Sequence, residues 1–212
     1  MEVLLLVGIP AIAAFLFGFS VGRYRSHSFQ NPGEARLSRA VEERFTAPDY
    51  YLVNHLTLGT GSRSTQIDHV LVSRFGIFVI ETKEYSGWIF AGVSDKKWTQ
   101  VFYRAKFRFQ NPVHQNYGHV SAVRRLLEFL PNDAISSAVV FTGSAKFQTT
   151  IPDGVYTLDR FLAFVASQKT ERMSSNRVQF CVGRLETARR AVTKTTDLEH
   201  VEQLRRRYGR ND

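Results

Sequence analysis

The sequence predicts a mixed α/β domain, a sheet flanked by helices, preceded by one N-terminal membrane-spanning helix. Three observations lead to this fold class. Residues 3–21 carry no charged side chain. The rest of the chain reads as a helix, three strands, a hairpin, a helix, a strand and further helices, an order typical of a layered α/β domain. At 43% apolar and 22% charged residues, the 212-residue chain has the composition of a globular domain with an appendage.

The uncharged run 3–21 is long enough to cross a bilayer, since nineteen helical residues at 1.5 Å each extend over about 28 Å. A cleavable signal peptide would begin with basic residues, but this run follows Glu2. A buried core helix would show a polar face, and the run has none. Arg23 and Arg25 follow it, which predicts a cytoplasmic location for the remaining chain. We therefore expect an anchor at 1–22 and a juxtamembrane linker at 23–32.

The first half of the soluble part predicts one helix and a strand meander. Asn31 and Pro32 are typical of a helix start, Leu37, Val41 and Phe45 give that helix an apolar stripe, and Pro48 ends it. Alternating and β-branched residues then predict strands joined by a loop at 59–64 and a tight turn at 75–76. The predicted strands are 50–58, 65–74, 77–83, one beginning at 87–88, and an extended pair within 98–109.

The second half predicts a long helix, a buried strand and more helices. Asn111 and Pro112 repeat the helix-start signal, and apolar residues at helical spacing continue to Leu130. Residues 136–142 form a short apolar run, typical of a strand buried on both faces. Helices are expected at 159–167, after Ser174, and near Thr196 and Asp197. These elements follow the breaker 131–133, and we treat 131–212 as completing or extending the domain.

Three residues in the strand meander have the chemistry of a metal-dependent hydrolase. Asp68 interrupts an otherwise apolar strand, where a buried carboxylate needs a partner or a metal ion. Glu81 and Lys83 are two apart at the end of the next strand, so they share a face. Two carboxylates can hold a hard cation, and the lysine can orient water or neutralise charge as a phosphate reacts. An exposed Glu-x-Lys pair is also common without function, so Asp68 is the more informative residue.

Five blocks of the sequence, taken in order, resemble the NERD domain, the nuclease-related domain of the PD-(D/E)XK, restriction-endonuclease-like group. They are QIDHVLV at 66–72, GIFVIETK at 76–83, GWI at 87–89, WTQ at 98–100 and NPVHQN at 111–116. The resemblance extends over about 33–130. It implies a restriction-endonuclease-like mixed β-sheet core flanked by helices, and nuclease activity that depends on Mg²⁺ or Mn²⁺.

The resemblance also implies roles for five residues. Asp68 and Glu81 correspond to the metal-binding carboxylates, and Lys83 corresponds to the catalytic lysine. Glu34 follows Gly33 as in the family's first helix, where the acid points towards the site and would join the metal shell; it could equally cap the helix by reaching back to Asn31. Gln115 matches the glutamine of the NPxxQ block, although a bridging hydrogen bond is its alternative role. His119 stands four residues later, where exonuclease-like relatives have a tyrosine.

Other kinds of site have little support in the sequence. His55, His69, His114 and His119 lack the spacing of a zinc motif, and His69 should face away from Asp68. A lone cysteine, Cys181, allows no internal disulfide and is expected in the core. The chain contains no GxxxxGK[ST] or GxGxxG phosphate loop.

Positive charge predicts an anionic partner. The chain has 28 basic and 19 acidic residues, for a net charge of +9. Arg104, Lys106 and Arg108 alternate with aromatic residues and would form one cationic strand face for a phosphate backbone, or else an ordinary solvated face. A second basic cluster, 205–207 with Arg210, fits a helix end, nucleic acid or anionic lipid.

These observations lead to three functional hypotheses. The first is a single-pass protein of a bacterial inner membrane, N-terminus outside, whose cytoplasmic domain cuts nucleic acid, with DNA preferred over RNA. The second is a catalytically silent module of the same fold that binds nucleic acid or a protein partner at the membrane. The third is a structural membrane protein whose basic patches bind lipid headgroups.

Overall fold

The computed structural model describes residues 31–60 and 63–189, and these residues form a mixed α/β fold. In chain order the elements are α1 (Pro32–Arg44), β1 (Tyr50–Thr60), β2 (Arg63–Ser73), β3 (Gly76–Lys83), β4 (Trp88–Phe90), β5 (Lys97–Phe102), β6 (Ala105–Gln110), α2 (Pro112–Leu126), a 3-10 turn (Asn132–Ala134), β7 (Ile135–Phe141), β8 (Lys146–Phe147), β9 (Val155–Thr157), α3 (Leu158–Ser167) and α4 (Ser175–Ala188).

The larger sheet has the strand order β1-β2-β3-β7-β9. β1, β2 and β3 form the predicted antiparallel meander, whereas β7 and β9 run parallel to β3. A parallel neighbour needs a long crossover, and the chain supplies one between β3 and β7 that contains the hairpin and α2. β3 is therefore the central strand, and nearly all of its residues are buried.

Helices cover both faces of this sheet, which explains why β2 and β3 carry unbroken apolar runs at 70–72 and 77–80. On one face α2 and α4 pack their apolar stripes against β1, β2 and β3. On the other face α1 and α3 do the same, and Leu37 and Val41 of α1 are fully buried there as their spacing predicts. Cys181 of α4 is also fully buried, in agreement with its expected place in the core.

A second, smaller sheet has the order β6-β5-β4-β8 and packs beside the larger one. Its inner face contributes Ile89 and Trp98, which share a third core cluster with Phe141 of β7. The Trp98 indole stacks on the Phe141 ring, with centroids 6.4 Å apart and planes 15° apart. β5 and β6 are the extended pair predicted within 98–109.

Three boundaries differ from the sequence prediction. The strands on either side of the predicted loop 59–64 continue to Thr60 and begin again at Arg63, because antiparallel pairing extends into the segment. α2 ends at Leu126 rather than Leu130, since the chain then turns to bury both Leu127 and Leu130 ahead of Pro131. Arg104 lies in the β5–β6 turn after Tyr103, whose φ of 54° is left-handed, so it does not share a strand face with Lys106 and Arg108.

Several predictions concern residues outside the described ranges. These are the anchor at 3–21, most of the linker 23–32, the helix near Thr196 and Asp197, and the basic cluster around 205–210. Within 31–60 and 63–189, no helix is both long and apolar enough to cross a membrane.

Candidate functional site

The end of β3 places Glu81 and Lys83 on one face, as their spacing predicts. The Lys83 ammonium lies 2.6 Å from Oε1 of Glu81 and 3.3 Å from Oε1 of Gln115, which accepts from it. Glu81 is almost completely buried, at 2% exposure, while Lys83 retains 18%. The pair is therefore a largely desolvated ion pair at a strand end, unlike an ordinary exposed Glu-x-Lys pair.

Helix α2 contributes two side chains to this ion pair, one turn apart. Gln115 contacts Lys83, and His119 lies with Nε2 3.1 Å from Oε2 of Glu81. The other ring nitrogen of His119, Nδ1, lies 2.8 Å from the hydroxyl of Thr65 on β2. For a neutral ring beside an ionised carboxylate, Nε2 donates to Glu81 and Nδ1 accepts from Thr65. Both carboxylate oxygens of Glu81 are thus engaged, one by Lys83 and one by His119.

Two asparagines fix α2 in place. Asn111 caps the helix by accepting from the backbone N–H of Val113 at 2.9 Å, and its amide donates to the carbonyl of Asp95 at 2.8 Å. Asn116 is fully buried, and its amide nitrogen lies 2.9 Å from the Val79 carbonyl and 2.8 Å from the Ser137 hydroxyl. Asn111 thus attaches the helix to the segment before β5, and Asn116 attaches it to β3 and β7. Together they set the positions of Gln115 and His119.

Asp68 lies where β2 separates from β3. β2 is paired with β3 only as far as His69, which lies opposite Ile80. β2 is paired with β1 on both sides of Asp68, through the partners Asn54 and His69 and the partners Leu56 and Ile67. The residue across from Asp68 is His55, with a left-handed φ of 50°. In place of a regular ladder, Oδ2 of Asp68 accepts the backbone N–H of Thr82 at 2.7 Å. The fork directs the Asp68 carboxylate to the segment that carries Glu81 and Lys83.

The first turn of α1 brings Glu34 to the same place. Asn31 caps the helix by accepting from the Glu34 backbone N–H at 3.0 Å, and its side-chain amide also contacts Oε1 of Glu34. Gly33 allows the close approach, since a Cβ there would be 2.7 Å from Cβ of Glu84 and from the Thr142 hydroxyl oxygen. Glu34 therefore contacts the side chain of the cap residue rather than its backbone, and it lies buried near enough to Glu81 for their charges to interact.

The pKa values show that these groups share one electrostatic environment. Burial and the nearby Glu81 charge raise the pKa of Glu34 to about 7. Burial, together with the charges of Glu81 and Glu34, raises the pKa of Asp68 well above its usual range. Burial also acts against the Glu81 anion, but His119 and Lys83 hold its pKa below the usual range, and Glu81 in turn raises the pKa of Lys83. The burial and mutual repulsion that raise the pKa values of Glu34 and Asp68 therefore favour the protonated forms of these two groups as long as no cation is bound.

The carboxylate cluster, by which we mean Glu34, Asp68 and Glu81, suits a hard divalent cation by its donor chemistry. Carboxylate oxygens are the ligands that Mg²⁺ prefers, and the raised pKa values of Glu34 and Asp68 reflect the charge that a cation would balance. Across the described ranges, no three His, Cys, Asp or Glu side chains form a ready-made metal cage. Mg²⁺ is usually held by one or two carboxylates together with several waters, so it does not require a complete cage of protein ligands. The chemistry of the cluster suits an ion bound in that way.

The remaining candidates divide between structural and exposed positions. His69 is fully buried, with Nδ1 2.8 Å from Oδ1 of Asn54, and it takes no place among the site residues, as predicted. Lys106 and Arg108 are exposed on β6, while Arg104 is exposed in the preceding turn. Sequence reasoning treated His119 as a departure from a family pattern and did not connect Thr65 with the site. The signal for His119 was its spacing of one helical turn from Gln115.

Comparisons with known proteins identify the family to which the chain is similar. A family model described as "Nuclease-related domain" matches residues 30–142, more than half of the chain. The chain is 39% identical over 94 residues to a protein of Bacillus anthracis titled "Uncharacterized protein pXO1-01". That match extends over 44% of this chain and 44% of the relative, so the two align over less than half of either length. No solved structure matches the chain.

Proposed function

The chain belongs to the nuclease-related domain family, part of the PD-(D/E)XK-like nuclease group, and from this premise we propose that it is a metal-dependent nuclease. The reaction would be hydrolysis of phosphodiester bonds in DNA or RNA. One observation supports the proposal most strongly: the carboxylate cluster lies beside Lys83 at the end of a buried strand. With Gln115, the side chains at this point come from four separate segments of the chain. Structural residues alone have no need of so many buried ionisable groups at one point.

Hydrolysis places a water oxygen on phosphorus, breaks one P–O ester bond and transfers a proton to the leaving oxygen. Lys83 would serve this reaction as a cation, because its raised pKa keeps it protonated at neutral pH. Its ammonium would donate hydrogen bonds that position the attacking water and neutralise charge on the phosphate as it becomes five-coordinate. Glu81 and Gln115 hold the ammonium from two sides, which fixes its direction before substrate binds.

Asp68 and Glu81, with Glu34 beside them, would hold Mg²⁺ or Mn²⁺. A bound ion would supply Lewis-acid activation of the phosphate and balance the charge of the carboxylate cluster. Substitution of Asp68 by Asn should therefore reduce both activity and the affinity for Mn²⁺. The backbone N–H of Thr82 can still donate its hydrogen bond to the amide oxygen of the asparagine.

The decisive experiment incubates the protein with labelled DNA and RNA in Mg²⁺, in Mn²⁺ and in EDTA. We expect cutting that requires metal and falls by about 10²–10³-fold in Lys83→Ala, the loss typical of removing one preorganised donor. Lys169→Ala removes an exposed lysine after α3 and is the matched control, with activity unchanged. Cutting that persists in EDTA, or that Lys83→Ala leaves intact, would contradict the proposal.

A silent binding module is the alternative for the same fold. It predicts tight binding of nucleic acid or of a protein partner and no cutting with any divalent metal. The paired Glu81 and Lys83 and the nearby Asp68 favour the enzyme, because burying several ionisable groups side by side costs free energy that a purely structural site has no reason to spend.

We also propose that residues 3–21 anchor the protein in a bilayer and that the nuclease domain lies on the cytoplasmic side. The support comes from the sequence: nineteen uncharged residues followed by Arg23 and Arg25. The double substitution Leu5→Asp and Ala13→Asp should move the protein from the membrane pellet to the supernatant. Retention of the double variant in the pellet after a carbonate wash would exclude this anchor.

A further inference from the structure

The smaller sheet presents an outer face that none of the preceding roles explains. Cross-strand partners share a face, so the register places Trp88 with Val101 and Lys106, and Phe90 with Thr99 and Arg108. Ile89 and Trp98 point the other way and are buried in the core. The outer face is therefore defined by two aromatic residues of β4 and by the alternating residues of β5 and β6 beside them.

Both aromatic side chains on this face are open to solvent. Trp88 is 53% exposed and Phe90 is 41% exposed, although both belong to a strand whose middle residue, Ile89, is completely buried. They lie two residues apart on one strand, about 7 Å along it, which is close to the spacing of unstacked bases on an extended strand. Burial of the sheet's inner face does not require them, since a polar residue at either position would leave that core unchanged.

The charge on the same face has one sign. Lys106 and Arg108 lie on the β6 side, and Lys146 of β8 pairs with Trp88 on the opposite side. The four strands β4, β5, β6 and β8 contain no aspartate or glutamate. The aromatic pair is thus flanked by cations on both sides, an arrangement complementary to a polyanion that also offers flat apolar groups.

We propose that this aromatic face binds single-stranded nucleic acid, with bases stacked on Trp88 and Phe90 and phosphates beside Lys106, Arg108 and Lys146. A duplex keeps its bases stacked on each other, so it offers phosphates but no free base faces to two exposed rings on a flat sheet. A single strand offers both. The proposal rests on the proposed nuclease function for its choice of polymer, and it adds the strandedness of the substrate.

The strand that carries Lys106 and Arg108 leads directly, along the chain, to the helix of the candidate site. β6 continues through Asn111, the cap of α2, into the helix turn that carries Gln115. An anionic membrane surface is the other partner that tryptophan and lysine fit, and it is distinguished by the experiment below.

The experiment measures binding in EDTA, so that cutting cannot intervene, with the full-length chain in detergent. The probes are a fluorescein-labelled 20-nucleotide single strand of mixed sequence and the same strand in a 20-base-pair duplex. We expect tighter binding of the single strand and a loss of about 5- to 150-fold in each of Trp88→Ala and Phe90→Ala, since one base–aromatic stack is worth that much. Trp88→Phe keeps a ring and should retain most of the affinity.

Phe180→Ala is the matched control, because Phe180 is 56% exposed on α4 and lies outside the aromatic face. It should bind like the wild type. The double variant Lys106→Gln, Arg108→Gln should weaken binding and reduce the slope of log K against log salt by about 1.4, the value for two phosphate contacts on a single strand.

Tryptophan fluorescence identifies the partner. The chain has two tryptophans, and Trp98 is buried, so the difference between wild type and Trp88→Phe reports on Trp88. Single-stranded oligonucleotide should quench Trp88. Equal affinity for duplex and single strand, with no loss in Trp88→Ala, would overturn the proposal. A blue shift of Trp88 emission in micelles doped with phosphatidylglycerol, with no effect of the oligonucleotide, would also overturn it. Binding without cutting in Mg²⁺ or Mn²⁺ would support this proposal and refute only the nuclease activity.

Discussion

Glu81 is the residue on which the site geometry depends most, because its two oxygens join β3 to α2 and to Lys83. Lys83 contacts one oxygen at 2.6 Å and His119 contacts the other at 3.1 Å. A carboxylate held at both oxygens cannot rotate, so the Lys83 ammonium is fixed as well. His119 thereby acts as a positioning residue, through Glu81, while Thr65 orients its ring.

His119→Ala should therefore impair turnover more than substrate binding. The variant leaves Oε2 of Glu81 without its histidine partner, a loss of about 1–3 kcal/mol for a hydrogen bond to a buried charge. We expect kcat to fall by at least tenfold with little change in KM, measured by steady-state cleavage of a labelled oligonucleotide. His114→Ala changes an exposed histidine of the same helix and should leave both constants unaltered. An equal effect of the two variants would remove His119 from the site.

Glu34 predicts a specific dependence of stability on pH. Its folded-state pKa is about 7, against an ordinary value of 4.5, mainly because it is buried. Between these two pH values the folded protein holds a proton that the unfolded chain has released, so the free energy of unfolding falls as pH rises from 4.5 to 7. The contribution is up to about 3 kcal/mol, and it is constant below and above that interval.

The measurement compares Glu34→Gln with the wild type by urea denaturation in EDTA at several pH values from 4.5 to 8. The variant should gain stability relative to the wild type across this range, because glutamine does not titrate and can still accept from Asn31. Glu43→Gln, in an exposed position of α1, is the control. A difference between Glu34→Gln and wild type that stays flat with pH would contradict the burial argument.

At the level of single residues, the sequence predicts the chemistry of the site better than its contacts. Glu81 and Lys83 share a face because strands have a period of two residues, which brings the two side chains within reach of an ion pair. The position of Asp68 depends on a fork between strands and on the left-handed backbone of His55, neither of which has a periodic signal. His119 reaches Glu81 only through the packing of α2, so its role required the fold.

Among the elements, α1 is positioned at the site by its first turn. Arg36 of α1 donates to the Thr142 carbonyl at 2.6 Å and forms an ion pair with Glu84 at 3.3 Å, which attaches the helix to the segments after β3 and β7. Gly33 fits against the same two segments without a side chain. This contact explains why Glu34 is buried beside Glu81 rather than exposed as a cap residue.

Gly33→Ala should separate α1 from the site. The added Cβ would lie 2.7 Å from two neighbouring side-chain atoms near their backbone, so the helix must shift, at a cost of about 1–3 kcal/mol. We expect lower thermal stability and a larger loss of cleavage rate than global stability explains. Gly183→Ala in α4 is the control, since nothing lies within 4 Å of its added Cβ and alanine favours a helix. Equal stability of both variants would show that α1 does not need this approach.

The elements themselves were predicted well wherever a cap or a period defined them. Asn31 and Asn111 both cap their helices as their position before proline indicates. The extended pair within 98–109 was predicted, but its turn was not located and Arg104 was assigned to the face of Lys106 and Arg108, because the turn contains neither glycine nor proline to mark it. Turns that form through a left-handed tyrosine lie beyond what sequence pattern can locate.

For the whole molecule, the family-matched segment 30–142 is not the complete folding unit. Residues after 142 supply β9, α3 and α4 to the larger sheet and to both of its faces. Arg189, at the end of α4, donates to the carbonyls of Asn54 and His55 at 2.9 Å, across from Asp68. The function of 131–189 in the domain, which the sequence left open, is thus to complete the core and to brace the strand next to the site.

The final prediction is that this C-terminal part unfolds together with the nuclease-like part. Phe161 of α3 and Leu185 of α4 are fully buried, in cores on opposite faces of the sheet that otherwise consist mainly of residues before 142. Phe161→Ala and Leu185→Ala should each lower the free energy of unfolding by about 2–5 kcal/mol, the range for large core deletions. In a Trp88→Phe background, the fluorescence of Trp98, packed on Phe141, and the helical circular dichroism signal should still change in one coincident transition. Two separate transitions, with Trp98 unaffected by the first, would show instead that α3 and α4 form an appendage that the site does not need.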